Sequence, residues 1–385
     1  MNLLKRINLK QYGMVIALVV IAILFWILTD GILLNPLNVN NLVLQNAYIV
    51  ILAIGMLLVI VTGNIDLSVG SIAGFAGALS GVFIVNQGWP LWIAVIVILV
   101  IGGLIGAWHG FWIAYIKIPA FIVTLAGMLV FRGFTMTLLD GQTIAPFPAR
   151  FQTMASGFLI NYFGNLDPAV LTLSITGILS IIFILLELKI RKKQVNHGIE
   201  ISSLYFWLIK IVIILGALNG FGMLLGAHLG IPIVLVLVAI LATIYHFVTT
   251  KTIAGRHIYA YGGNAKAAEL TGLKTKQIVF WVYVNMGILA ALAGLIFTAR
   301  LNAATPGAGS NFELQAIAAA FIGGASPKGG VGKIWGAIIG AFVMGILNNG
   351  MSLLGVGVDM QQVIMGLILL GAVVFDVYTK SKSSG

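Results

Sequence analysis

The chain of 385 residues contains no cysteine, which excludes disulfides, thiolate metal sites and dithiol redox chemistry. Charge is almost as scarce. Asp, Glu, Lys and Arg make up 8% of the residues, against about 25% in soluble domains. A water-facing surface needs charge, so a soluble globular protein is excluded. Acidic groups are the rarer sign, 10 against 21 Lys and Arg. Asp66, Asp140, Glu187 and Asp376 stand at the edges of apolar runs. A proton- or sodium-coupled carrier places acids in mid-membrane as a relay, so the pattern ranks that class low. The five histidines show no His-Xaa3-His spacing, and no Ser/His/Asp arrangement is recognisable, so neither a metal site nor a catalytic residue is expected.

What the chain has instead is apolar length. Hydrophobic residues form 60% of it, with a mean hydropathy of +1.10. Runs of the roughly 17–25 residues needed to cross a bilayer recur along the sequence. They lie at roughly 13–29, 42–61, 67–85, 91–113, 120–139, 169–188, 203–225, 231–248 and 278–298, then 315–325, 334–349 and 361–377. The 315–325 run is short, but it must return the chain for the charges to alternate correctly. The expectation is an all-α polytopic membrane protein, residues 1–385 forming one domain of about 12 transmembrane helices.

Net charge is +11, which resembles a nucleic-acid signal until the cations are mapped. All but Arg132, Arg150, Lys210 and Arg300 fall in segments on one side of the predicted membrane. This is the positive-inside asymmetry. No basic stripe is interleaved with aromatics on a soluble domain, so no nucleic-acid partner is expected. Lys5, Arg6 and Lys10 precede the Gly13–Leu28 run, and no small-residue cleavage site follows it. That run is therefore read as a retained first span, with both termini cytoplasmic.

Four segments stand out. Arg256 to Lys276 is a polar island with a Gly262-Gly263 break and a short Ala-rich helix from Asn264, its N-cap, to Leu270. Gly272 follows as a stop. By itself it reads either as an ordinary cytosolic loop or as a helix that passes a push from a soluble partner into the bundle. Thr62 to Ser71 places Asn64, Asp66 and Ser68 between two apolar runs. Asp66 either caps a helix starting at Leu67 or helps line a path. Pro119 to Gly133 opens a helix with proline and carries Thr124 and Arg132. Arg132 is expected to pair with Asp140 or a helix C-terminus, or to snorkel outward. Lys328-Gly-Gly-Val-Gly-Lys333 imitates a phosphate-binding loop but continues into Ile334, where a Ser or Thr is required, and no strand precedes it. Much of the glycine, 47 residues, sits within spans, as in Gly102-Gly103-Xaa2-Gly106-Xaa3-Gly110, where it allows close helix packing.

These segments resemble the permease subunits of ribose/xylose-class ABC sugar importers. The resemblance rests on Gly63-Asn-Ile-Asp-Leu-Ser-Val-Gly-Ser71, on Pro119 to Gly133, on the Gly262-Gly-Asn run, on Glu313 to Ser326 and on Leu347 to Gly355. It covers residues 40–150 and 230–377. It implies a ten-span core like that of ribose and vitamin B12 permeases. The pair of runs at 169–225, with its basic hinge Leu188 to Gly198, is an additional peripheral hairpin resembling xylose-type and multiple-sugar permeases. It further implies a homodimer in the bacterial inner membrane that moves a monosaccharide such as xylose. An extracytoplasmic sugar-binding protein would deliver the sugar, landing on loops 140–168 and 299–314, and an ABC ATP-binding subunit would dock on the cytoplasmic segment 249–277. That subunit, not this chain, would hydrolyse ATP, and no cofactor is implied. The coupling residues would be Gly262, Gly263, Asn264, Ala267, Ala268, Glu269, Thr271 and Gly272, the small ones entering a cleft on the partner. Asn64, Asp66, Ser68, Thr124 and Gln315 would line the path. Permeases for branched-chain amino acids share the architecture and remain the alternative.

Overall fold

The computed structural model describes residues 9–164, 166–198 and 203–381. Lys5, Arg6 and Lys382, which help to orient the termini, lie outside the described residues. Among the described residues nine helices are long and apolar enough to cross a membrane, and three shorter apolar stretches accompany them. The protein is an all-α multi-pass membrane protein.

The chain runs α1 (Leu9–Leu28), α2 (Pro36–Val61), α3 (Val69–Ser80), α4 (Leu91–Ala114) and α5 (Ala120–Leu139). A connection carrying the small helix α6 (Ala149–Ser156) leads to a hairpin of α7 (Pro168–Asn196) and α8 (Leu204–Gly226). Then follow α9 (Ile233–Lys251), α10 (Ile253–Gly263), α11 (Ala265–Leu270) and α12 (Thr275–Leu301). The chain closes with α13 (Phe312–Ile322), α14 (Ile334–Leu353) and α15 (Val358–Ser381). Asn35 caps α2, and Pro36 occupies its first turn, where a missing N–H costs nothing.

α2 is the axis of the bundle. Every residue from Ala47 to Val61 is buried, against α9, α12, α13 and α14. Glycines set how closely the other helices approach. A Cβ at Gly106 would strike the Tyr283 carbonyl, one at Gly287 the Gly102 carbonyl and one at Gly294 the Ala73 carbonyl. α4 and α3 thus lie backbone to backbone on α12. The hairpin is different. α7 packs chiefly on α8, most of its length is exposed, and the α8 end meets α2, where Asn40 Nδ2 donates to the Leu225 carbonyl at 3.3 Å.

Two helices begin inside the bundle rather than at its surface. α13 has 11 residues, about 16 Å of rise, roughly half the hydrocarbon thickness. Its first turn touches that of α3, since a Cβ at Gly70 would meet both Glu313 Oε2 and the Gly309 carbonyl. Segments 62–68 and 302–311 are therefore non-helical backbone partly covered by protein, with Asp66, Ser68, Ala304 and Gly309 buried and Gly63, Ile65, Ser310 and Asn311 exposed.

Arg132 does not reach Asp140. The two are eight residues apart on α5, roughly 12 Å along the axis. Arg132 Nη2 instead donates to Ser310 Oγ at 3.4 Å.

Candidate functional site

The polar island folds as α10 and α11 at the end of the bundle that carries most of the cations. Asn264 caps α11 through Oδ1, which accepts from the Ala267 N–H at 2.9 Å. Gly272 ends the segment at φ +84°, a conformation that favours glycine. Gly263, Asn264, Lys266, Ala267, Glu269, Thr271 and Gly272 are exposed. So is Leu270, at 82%, the most exposed of the large hydrophobic side chains. The sequence reading stops its helix at Leu270 without giving that side chain a role. Its signal was there: a leucine at the end of a helix with no apolar neighbour to pack on.

Two residues of the expected contact set point the other way. Ala268 is buried and seats α11 on the permease itself. A Cβ at Gly262 would run into the Val61 carbonyl oxygen and the Gly330 nitrogen. Their small size serves the permease's own packing, whereas Gly263 and Gly272 have open space around them.

Gly262 is one arm of a three-way backbone crossing. The Gly330 N–H donates to the Val61 carbonyl at 2.8 Å, joining the end of α2 to the loop between α13 and α14. Gly329 and Gly330 have φ of +80° and +72° and lie against Gly262 and Gly263. Tyr259 Oη adds a bond to the Gly332 carbonyl at 2.7 Å. The glycines that imitate a phosphate loop are thus filled by protein backbone. Burial raises the pKa of both Tyr259 and Tyr261, and Glu269 adds to the shift at Tyr261, so both phenols remain protonated.

The predicted path residues divide into two places. Asp66 is buried, and its Oδ1 accepts from the Ser68 N–H at 2.8 Å and from Ser68 Oγ at 2.5 Å. The helix starts at Val69 with Ser68 as its N-cap, so Asp66 fixes the turn before the cap instead of capping a helix at Leu67. Thr124 Oγ1 donates to the Ala120 carbonyl at 2.9 Å and lies 3.5 Å from that of Ile65. Asn64 closes its own loop on Thr62 Oγ1 at 3.1 Å. These four make a packed junction between α2, α3 and α5.

Gln315 lies elsewhere, in a cavity of about 620 Å³ between α2, α12, α13, α14 and α15. Its Oε1 accepts from Tyr48 Oη at 3.2 Å. Tyr48 packs on Phe312 at a tilt and edge-on against Phe297, with ring centroids 4.3 and 5.2 Å away. The wall is rich in amides: Gln45 and Asn46 from α2, Asn311 and Gln315 at the start of α13, Asn348 from α14, and Gln361 and Gln362 from α15. Asn348 Oδ1 has no protein partner. Among the described residues Arg300 is the one charged group on the wall, and no carboxylate lines it. Apart from Gln315 the sequence reading missed this set. Amides from four distant stretches carry no spacing signal; only the fold collects them.

Glu313 was also missed. It is buried at the α3–α13 contact with Oε2 unpartnered. Its signal is an acid in the first turn of an apolar helix too short to span.

An amide-lined cavity, broken helices and an exposed helix at the basic end describe a membrane permease. The family model described as "Branched-chain amino acid transport system / permease component" matches residues 38–373, and the chain belongs to this family. Among its relatives, the xylose transport system permease protein of Haemophilus influenzae is 41% identical, over 98% of this chain and 99% of its own length. That of Escherichia coli K12 is 40% identical over 99% and 95%. The ribose import permease protein of Bacillus subtilis is 34% identical over 97% and 95%. No solved structure matches the chain significantly.

Proposed function

We propose that this chain is the membrane permease of an ABC importer for xylose or a closely related aldose, in the inner membrane of a bacterium. The carrying observation is the amide-lined cavity. Side-chain amides supply donors and acceptors without net charge, which matches a polyol whose hydroxyls do both. Its volume lies in the range of small-ligand sites. A branched-chain amino acid would leave its ammonium group without a counter-charge, since among the described residues of the wall the one charged group is the cation Arg300. The full-length likeness to xylose permeases supports the same reading.

The basic end, with both termini, faces the cytoplasm, as the cation asymmetry requires. An ATP-binding subunit docks there on α11, with Leu270 as the apolar anchor and Lys266, Ala267, Glu269 and Thr271 around it. A sugar-binding protein meets the opposite end, at loops 140–168 and 299–314, and two copies of the chain form the working permease. Force on α11 reaches α2 and the α13–α14 loop through the crossing at Gly262, Val61 and Gly330. α2, α13 and α14 are cavity walls, so this joint ties the docking helix to the sugar path. The packed junction of Asn64, Asp66, Ser68 and Thr124 lies on the same route and opens as the walls shift.

The test is uptake in the reconstituted importer. Gln315→Leu and Asn348→Leu should each lower xylose uptake at least ten-fold with the ATP-binding subunit still bound. Leu270→Ala should weaken that docking by about 1–2 kcal/mol, roughly a ten-fold loss, with uptake following it. Leucine or valine competing with xylose for uptake would move the cargo to amino acids, and unchanged uptake in both cavity variants would remove the cavity from the path.

A further inference from the structure

We propose that the fissure between α9 and α12 is a binding site for a single phospholipid with an anionic headgroup. Residues of α9, α10 and α12 line the fissure, and α10 packs against both of the other helices. The space left is about 710 Å³. Its inner wall is apolar, from Leu58, Ile278 and Val282. Its lateral mouth is flanked by Ile244 and Trp281, which are 50% and 63% exposed on an apolar helix surface. A surface of that kind faces hydrocarbon, so the fissure opens to acyl chains and not to water.

Polarity appears at its two ends. At the basic end Lys274, His257 and Gln277 line the opening. The segment 249–277 around them carries five Lys or Arg against the single acid Glu269. A phosphate-bearing headgroup at that level meets uncompensated positive charge, the arrangement by which basic pockets between membrane helices hold anionic lipids. At the deep end Tyr245 Oη donates to Asn285 Oδ1, while the buried Asn285 Nδ2 has no partner. An ester carbonyl of the lipid is an acceptor this donor lacks. A peptide or a second copy would leave the basic opening unmatched, and a neutral lipid would leave it without a counter-charge.

Gly272 and Leu273, at the exit of the docking segment, form part of the same wall. An occupant would therefore brace α11 against α12. The lipid is thus a structural element of the docking segment as well as a ligand, and this consequence rests on the role given to α11 above. Lipid occupancy itself does not, and the two are measured separately.

Trp281 supplies the probe. The full-length permease is placed in phosphatidylcholine vesicles holding increasing amounts of brominated phosphatidylglycerol, and tryptophan fluorescence is followed with and without Trp281→Phe. The Trp281 component should quench at low mole fraction and saturate, while brominated phosphatidylcholine quenches it only in proportion to its abundance. Lys274→Gln should weaken the preference about five-fold, as expected for one basic group facing an anionic headgroup. Ile244→Phe, which fills the fissure from its exposed side without adding a fluorophore that competes with tryptophan, should abolish saturation while the charges stay in place. Equal quenching by both brominated lipids, or no quenching because another chain covers the face, would overturn the proposal. Saturable quenching without any effect of phosphatidylglycerol on ATP-binding-subunit docking would keep the lipid site and sink only the α11 role.

Discussion

Two helix pairs in this protein are joined by different physics. α4 and α12 meet through glycine, with the backbone at Gly102, Gly106 and Gly110 lying directly on that of Gly287, Tyr283 and Phe280. α7 and α8 touch through glycine only at one end, at Gly222 and Gly226, and are otherwise tied by side-chain hydrogen bonds, Thr176 Oγ1 to Asn219 Oδ1 at 3.1 Å and Asn219 Nδ2 to Ser180 Oγ at 2.9 Å, with a Lys210–Glu187 ion pair beyond. Lipid gives no hydrophobic reason for two apolar helices to associate, so close packing and polar bonds are the available means. Close packing admits no slack and serves the enclosed core. Hydrogen bonds tolerate small shifts and serve a hairpin that touches the rest mainly at one end.

The largest break in the comparison is a glycine replaced at each place. Gly106→Leu would drive a side chain into the Tyr283 carbonyl and the Val284 Cα, both backbone and both unable to yield. Overpacking typically costs about 1–3 kcal/mol, and backbone obstruction belongs at or above the top of that range. The variant should lose its folded fraction in detergent, read by size-exclusion and thermal melting. Gly216→Leu in α8 has open space around it and should behave as the parent. If both were silent, glycine packing would not hold the core.

Next in size is removal of the hairpin altogether. Gly226 lies against Ala169, so the start of α7 and the end of α8 adjoin, and Asp167 can be linked to Ala227. The flanking chain is already tied together, Leu159 N–H to the Ile231 carbonyl and Ile233 N–H to the Gly157 carbonyl, each 2.9 Å. Two crossings are lost, so orientation is kept. A folded permease that melts a few degrees lower is expected, with the Asn40–Leu225 contact the main loss. Loss of folding would make the hairpin part of the core.

The same contrast explains what could be read in advance. Spans and their alternation follow from apolar length and cation placement, both local properties. The role of each glycine does not, because Gly106 and Gly216 look alike in sequence and differ only in what stands opposite. For the same reason Ala268 could not be told from Ala267: in a six-residue helix the buried face has no periodicity to reveal it. Gln315 and Asp66 are both expected along the path, yet the two occupy different places, since the broken helices α3 and α13 start against each other and head in different directions. For Arg132 the sequence offers Asp140, a helix C-terminus or the membrane surface, whereas the side chain reaches Ser310, 178 residues away.

A finer test lies inside the hairpin. Asn219→Leu removes the residue that bonds both Thr176 and Ser180 on the facing helix. Interhelical bonds in membranes average about 0.6 kcal/mol, so the two together should cost roughly 1 kcal/mol. The readout is earlier proteolysis of the α7–α8 connection at unchanged melting of the core. Simultaneous loss of both would mean that hairpin and core unfold as one unit.

The smallest effect belongs to Lys210 and Glu187, whose nitrogen and oxygen stand 2.7 Å apart. Lys210 is half exposed near the basic end of α8, whereas Glu187 is mostly covered. Lysine can extend its stem toward the interface when unpaired, but the shorter glutamate cannot follow. Lys210→Met should therefore harm the hairpin more than Glu187→Gln, because it strands the less accessible charge. The double variant should return close to the parent, since an exposed pair of this kind contributes only about 0.2–1 kcal/mol. A double-mutant cycle on proteolysis of the connection measures this directly. Equal cost for both single changes would mean that the two charges are equally solvated, and that the hairpin stands in a wetter surrounding than the apolar faces of α7 and α8 require.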